Sequence, residues 1–120
     1  MSTRGDAARA EFILKMLSNI EEIVARHGSP ESALDDEVEG RPAILMALHQ
    51  VGETLSKIDP ELIDRFDLST EAKGSSGLRN FIAHDYMGVD LKIVESVIKE
   101  FIPELKRKVR ELHTSVENHL

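Results

Sequence analysis

The fold of this chain is decided by residues 90–117, which read DLKIVESVIKEFIPELKRKVRELHTSVE. Apolar residues recur there every three or four positions, as they do on one face of an α-helix. They are Ile93, Val94, Val97, Ile98, Phe101, Ile102, Leu105, Val109, Leu112 and Val116. Asp90 is a good N-terminal cap. Pro103 predicts a kink or a split near Phe101, because proline lacks the N–H that a helix interior needs.

The same helical spacing recurs in two earlier stretches, residues 7–27 and 41–58. Gly28 predicts the end of the first helix. Ser29-Pro30 and Asp59-Pro60 each combine a capping side chain with a proline, a pattern typical of a helix start. Each pair therefore predicts a short helix or turn directly after it.

Strand patterns are weak throughout the chain. Few segments alternate with the period of two that half-buried strands show, and none is flanked by hairpin turns. The chain has 120 residues, which suits one domain and not two. We therefore expect an all-α fold, a helical bundle of four to five helices, as a single domain over residues 1–120.

The composition narrows the classes of function. Hydrophobic residues make up 41% of the chain and charged residues 31%, which is ordinary for a soluble globular protein. The absence of cysteine excludes disulfides and thiolate metal sites and is consistent with a reducing compartment, so a cytoplasmic location is expected. No uninterrupted apolar run approaches the ~18 residues that cross a bilayer, so no membrane partner is expected.

Acidic groups dominate the first part of the chain. The net charge of −7 argues against non-specific binding of nucleic acids. Residues 1–72, with an expected acidic loop at 35–40, carry 7 Lys and Arg against 15 Asp and Glu. Residues 73–120 carry 8 against 7 and include a basic run at 106–110. If RNA binds, we expect it to contact the second part briefly, through a few placed cations.

A cluster of chemically active side chains occupies residues 79–86, which read RNFIAHDY. Its polar members are Arg79, Asn80, His84, Asp85 and Tyr86. A breaker cluster, Gly74-Ser75-Ser76-Gly77, comes just before it, so the start of the helix that carries it is expected between Thr70 and Leu78. Gly88 is expected to end that helix.

Helical geometry sorts the members of this cluster into faces. Asn80 and His84 are four residues apart and share a face, so the amide could orient the imidazole. Arg79 and Tyr86 are seven apart and share a face if the helix persists. Arg79 and His84 are about 140° apart around a helix of 3.6 residues per turn. Either the helix bends, or each group meets its counterpart in a second copy, as a two-fold dimer would allow.

A purely structural interpretation stays open from the spacing alone. Arg79 could pair with Asp85 or Asp90 while the neighbouring side chains cover the end of the core. The other histidines, His27, His49, His113 and His119, are expected to be surface or partly packed residues. No metal-binding or phosphate-loop motif is present, so no metal or other cofactor is expected.

The segment Arg79-x4-His84-Asp85-Tyr86 resembles the Arg-x4-His-x-Tyr pattern of HepT-like toxins in the HEPN superfamily. The flanking residues are similar as well: Leu78-Arg79-Asn80 before it, Met87-Gly88-Val89-Asp90-Leu91 after it, Val51-Gly52-Glu53 in the second long helix and Pro103-Glu104-Leu105-Lys106 in the last. The resemblance covers most of the chain, most strongly residues 78–108. The chain departs from the family at 74–77, where relatives tend to have a bulkier helical stretch.

The resemblance implies a HEPN-like bundle with metal-independent endoribonuclease activity at a homodimer cleft. By this resemblance Arg79 and His84 are catalytic, and Asn80, Asp85 and Tyr86 support them. It also implies the toxin of a toxin–antitoxin pair, whose antitoxin is a nucleotidyltransferase that transfers AMP to the motif tyrosine, here Tyr86. We expect RNA as the substrate, with His84 as general acid or base and Arg79 as phosphate clamp.

Two rival interpretations remain. The first is a HEPN module that binds nucleotide, RNA or a partner protein without catalysis, which the net charge of −7 and the Gly-Ser-Ser-Gly break fit slightly better. The second is a helical assembly protein whose apolar stripe meets another helix. In that case Arg79 and His84 would be structural residues.

Overall fold

The fold is described from a computed structural model, which covers the backbone of residues 3–84 and 86–119 and the side chains of these residues except 3, 81, 83, 84 and 86. The helices are α1 (Thr3–His27), α2 (Pro30–Asp35), α3 (Gly40–Leu55), α4 (Pro60–Arg65), α5 (Ser69–His84), α6 (Leu91–Ser96) and α7 (Ile102–Glu117). A π-helical turn (Val97–Phe101) joins α6 to α7, and a 3₁₀ turn (Tyr86–Gly88) follows α5. The described ranges contain no strand, and the all-α prediction is confirmed.

The long helices pack in the order α7, α1, α3, α5, with α1 between α7 and α3, and α3 between α1 and α5. Their apolar faces meet in one core, whose largest fully buried side chains include Ile13, Leu17, Leu45, Leu105 and Leu112. Burying each such side chain stabilises the fold by roughly 1.5–3 kcal/mol. Helix α5, which carries residues 79–84, packs on α3, and Glu71 near its start accepts a hydrogen bond from Lys108 of α7 at 2.7 Å.

The predicted helix ends are mostly confirmed. Gly28 has a φ of 91°, a left-handed conformation that favours glycine, and it stops α1. The side chains of Ser29, Asp59 and Asp90 accept hydrogen bonds from backbone N–H groups in the first turns of α2, α4 and α6. Local capping chemistry therefore sets where these helices begin.

The effect of Pro103 is also confirmed, as a widened turn within the last helical stretch. The N–H of Ile102 donates to the carbonyl of Val97, five residues back. Proline at 103 has no N–H to donate, and its ring crowds the carbonyl four residues before it. The turn ahead of the proline relieves this by adopting π geometry over Val97–Phe101.

Two predicted boundaries differ from the structure. The helix predicted over 41–58 ends at Leu55. The prediction ran too far because Ile58 keeps the apolar spacing of the helix, although it lies in the following turn with its side chain buried in the core. The expected loop at 35–40 is shorter, since α2 extends to Asp35 and α3 begins at Gly40.

None of the helices in the described part of the chain combines the length and the apolar character that crossing a membrane requires.

Candidate active site

Helix α5 carries the start of the predicted motif and is longer than the sequence suggested. It begins at Ser69, ahead of the expected range, and passes through Gly74-Ser75-Ser76-Gly77 without a break. Tertiary packing holds these residues helical, because Ser75 is 5% exposed and its carbonyl lies against α3. Tertiary contacts therefore override the poor helix propensity of this stretch.

Gly52 of α3 is the point where α5 comes closest. A Cβ at position 52 would lie 2.6 Å from the carbonyl oxygen of Ser75 and 3.0 Å from the Cβ of Arg79. The first distance is shorter than real Cβ contacts, so only glycine allows this approach. The crossing therefore fixes the position of the Cβ of Arg79.

Arg79 is largely covered, with 20% of its side chain exposed. Its Nε and Nη2 both donate to Oδ1 of Asn80, at 3.3 and 3.1 Å. Its Nη2 also donates to Oγ of Ser76 at 3.4 Å, and its Nη1 donates to Oε2 of Glu53 at 3.5 Å. Among the described residues, the guanidinium therefore has one charged partner on α3 and two neutral partners on α5.

The structural alternative for Arg79 is only partly tested. Asp90 accepts from the N–H of Lys92 at 2.9 Å and caps α6, and the described acidic partner of Arg79 is Glu53. Asp85 lies outside the described residues. Sequence reasoning noted Glu53 only within a family-like segment and did not connect it with Arg79, which lies 26 positions away.

The remaining motif residues are described only in part. The side chains of His84 and Tyr86 lie outside the described residues, and so does any contact between Asn80 and His84. The α-helix ends at His84 and a 3₁₀ turn contains Tyr86, so the predicted shared face of Arg79 and Tyr86 lies outside what the structure describes. The structure therefore places Arg79 and Asn80 together and leaves the placement of His84 as a prediction.

A cavity of about 330 Å³ lies between α5, α6 and the π turn. Gly74 and Gly77 form part of its wall, and the ring of Phe101 lies opposite them. A Cβ at 74 would be 3.7 Å from that ring, and one at 77 would meet nothing within 4 Å. Bulkier residues at 74 and 77 would occupy part of this space.

The model of the family described as "Ribonuclease HepT-like" matches residues 13–112, a range that includes all of residues 79–86. The chain belongs to the HepT-like ribonuclease family. Membership confirms the resemblance drawn from the motif and its flanks. The HepT-like match also contains α3, so it covers both Gly52 and Glu53.

Three curated relatives resemble the HepT-like chain over part of its length. "Putative RNase MJ1380" of Methanocaldococcus jannaschii is 32% identical over 69 residues, and "Putative RNase TTE0752" of Caldanaerobacter subterraneus subsp. tengcongensis is 31% identical over 71 residues. Each match covers 58% of this chain and 62% of the relative. "Putative RNase MJ1216" of M. jannaschii is 28% identical over 75 residues, covering 62% of this chain and 61% of that protein. No solved structure matches significantly.

Among the side chains that the structure describes, no group of three or more His, Asp or Glu residues is arranged to hold a metal ion. Among the described side chains, Arg79 donates to Glu53, Ser76 and Asn80. This arrangement can bind an anion, because a guanidinium offers a planar fork of N–H donors that matches phosphate oxygens.

Proposed function

We propose that this HepT-like chain is a metal-independent endoribonuclease whose catalytic groups are Arg79 and His84. The observation that carries the proposal is the environment of Arg79, which is held by two helices at the start of the family motif. The curated relatives are named as RNases, which supports RNA as the substrate class.

The reaction uses a nucleophile that the substrate supplies. RNA carries a 2′-hydroxyl beside each phosphodiester. Its oxygen attacks phosphorus, the bond from phosphorus to the 5′-oxygen breaks, and the products are a 2′,3′-cyclic phosphate and a 5′-hydroxyl. His84 takes the proton of the 2′-hydroxyl or gives one to the departing 5′-oxygen, with water completing the other transfer; imidazole commonly fills both roles.

Arg79 is the phosphate clamp in this scheme. The attacked phosphorus passes through a crowded, more negative state, which a paired guanidinium stabilises. The neutral acceptors Asn80 and Ser76 occupy donors of Arg79 at 3.1–3.4 Å, and charged phosphate oxygens make stronger hydrogen bonds with the same donors. Substrate therefore replaces weak partners with strong ones. Asn80 then supports the phosphate or the imidazole, and Asp85 is a further supporting residue of the motif.

Control of the enzyme is proposed at Tyr86. A nucleotidyltransferase antitoxin that transfers AMP to this tyrosine would place bulk and a negative phosphate beside the position of the RNA phosphate. That negative charge would compete for Arg79 and repel the substrate. The chain would then be the toxin of a toxin–antitoxin pair, with its activity restored when the modification is absent.

The test is cleavage of RNA by purified protein in excess EDTA, with chemical analysis of the new ends. Unmodified Tyr86 should first be verified by mass spectrometry. The proposal expects 2′,3′-cyclic phosphate ends and no cleavage of RNA that carries 2′-O-methyl groups at the mapped sites. Folded, unmodified protein that binds RNA without cutting it would instead establish a non-catalytic binding module, the alternative that the net charge of −7 favours.

A further inference from the structure

The crossing of α3 and α5 brings two consecutive residues of α3, Gly52 and Glu53, against Arg79. Gly52 contributes by lacking a side chain, since a Cβ there would lie 3.0 Å from the Cβ of Arg79. Glu53 contributes a carboxylate whose Oε2 lies 3.5 Å from Nη1 at the far end of the same arginine. Gly52 therefore lies beside the base of the Arg79 side chain, and Glu53 contacts its guanidinium.

The other described partners of the guanidinium lie on a different helix from Glu53. Ser76 and Asn80 lie on α5, the helix that also carries Arg79. They restrain the side chain relative to its own helix. Glu53 is the described partner that ties the guanidinium to a different helix and supplies a negative charge.

We propose that Glu53, with Gly52 beside it, is a positioning residue that sets the direction of the Arg79 guanidinium. Its effect on catalysis rests on the proposed ribonuclease function, whereas its hold on Arg79 does not. Glu53 acts on the substrate only through Arg79. The side chain of Glu53 is 46% exposed, so its ion pair with Arg79 adds little to folding stability, as is usual for solvent-accessible ion pairs.

The kinetic consequence follows from orientation. An Arg79 guanidinium that points in several directions keeps its positive charge and still attracts phosphate. The KM of a Glu53→Ala variant should therefore stay within about twofold of the parent value. The fraction of aligned complexes falls, and misplacement of about 1 Å can cost up to roughly 10²-fold. We expect kcat to fall at least about tenfold. Glu53→Gln keeps an oxygen acceptor on a side chain of the same length and should recover most of this loss.

The experiment combines two readouts on the whole chain. The first is the ¹⁵Nε–¹Hε relaxation of Arg79, measured without RNA, which reports how firmly the guanidinium is held. The second is the separate determination of kcat and KM for RNA cleavage. Glu22→Ala is the matched control, because Glu22 forms an exposed pair with Arg26 on α1, away from this crossing. All variants are compared for melting temperature.

The proposal expects greater Arg79 side-chain motion and lower kcat in Glu53→Ala, with neither change in Glu22→Ala. Unchanged Arg79 relaxation in Glu53→Ala would overturn it, whatever the activity. An equal loss of kcat in Glu53→Gln and Glu53→Ala would also contradict positioning by the acceptor. If the parent cuts no RNA while Glu53→Ala frees Arg79, the ribonuclease proposal fails and the positioning role stands.

Discussion

At the scale of single residues, Arg79 combines a covered side chain with donors that are only loosely engaged. Its hydrogen bonds to described acceptors range from 3.1 to 3.5 Å, at the long end for charged groups. A guanidinium that has been removed from most of the solvent and is weakly paired is well prepared for an anionic ligand.

Replacing Arg79 by lysine tests whether the planar fork matters. Lysine keeps the positive charge but is a point charge, so it cannot make the paired hydrogen bonds of a guanidinium. We expect cleavage to fall about 10²-fold, the usual effect of removing one donor to a developing charge. Turnover of Arg79→Lys equal to that of the parent would contradict a two-pronged clamp.

His27 shows how a histidine outside the motif contributes to the fold. Its Nδ1 lies 2.8 Å from the carbonyl of Ile23 and its Nε2 lies 2.9 Å from Oδ2 of Asp36. Both ring nitrogens thus face acceptors, and the hydrogen bond to Asp36 is the main reason that the pKa of His27 lies above its usual 6.5. The hydrogen bond from His27 and those from the backbone N–H groups of residues 38–40 hold the pKa of the Asp36 carboxyl well below its usual range.

The pair should make the free energy of unfolding depend on pH. The raised pKa of His27 gives stability that is present below pH 6.5 and is lost as the pH rises through the raised value. The lowered pKa of Asp36 gives stability that is present above pH 3.8 and is lost as the pH falls toward the lowered value. We expect His27→Gln to lower the melting temperature more at pH 5.5 than at pH 8.5. An equal decrease at both would exclude a charged His27.

At the scale of elements, Gly77 of α5 and Gly52 of α3 should respond in opposite ways to substitution by alanine. Gly77 is exposed within the helix, and a Cβ there would meet nothing within 4 Å. Gly77→Ala should therefore stabilise the fold by about 1 kcal/mol through helix propensity and raise the melting temperature by about 4 °C. A decrease would indicate that the space beside α5 must stay open.

Gly52→Ala is the matched contrast on the facing helix. Its Cβ would lie 2.6 Å from the carbonyl oxygen of Ser75, so α5 must move away. Overpacking of this kind typically costs about 1–3 kcal/mol. We expect a lower melting temperature and reduced cleavage, both measured beside Gly77→Ala. A tolerated alanine at 52 would show that the α3–α5 crossing is not close-packed in solution.

Most elements could be predicted because their signals are local. Capping by Asp90 and the disruption ahead of Pro103 depend on residues within one or two turns, so sequence patterns identified them. The helical state of residues 74–77 and the pairing of Arg79 with Glu53 depend on α3. No local rule in a single sequence specifies such a long-range contact, so the sequence left the state of residues 74–77 open and did not predict the pairing of Arg79 with Glu53.

At the scale of the whole molecule, the motif residues Arg79 and Asn80 lie in the last part of α5 and are partly or fully exposed. An ideal helix would separate Arg79 and His84 by about 140°, so we expect that one chain does not aim both at one phosphate. A two-fold dimer would place Arg79 of each copy near His84 of the other.

Mixing two inactive variants tests this arrangement. In a heterodimer of Arg79→Lys with His84→Ala, one shared site carries both defects and the other carries an intact arginine and histidine. We expect cleavage to return after the two proteins are unfolded and refolded together, to at most about half of the parental activity per heterodimer. No recovery in a verified heterodimer would mean that each chain supplies both groups to its own site.

Whether His84 and Arg79 cut RNA without a metal is best measured as the single-turnover cleavage rate in EDTA, for the parent beside His84→Ala. Removal of the general acid or base should slow cleavage by at least about 10²-fold. The melting temperature should stay close to the parental value. A His84→Ala variant that cleaves RNA at the parental rate and leaves the same ends would contradict the account.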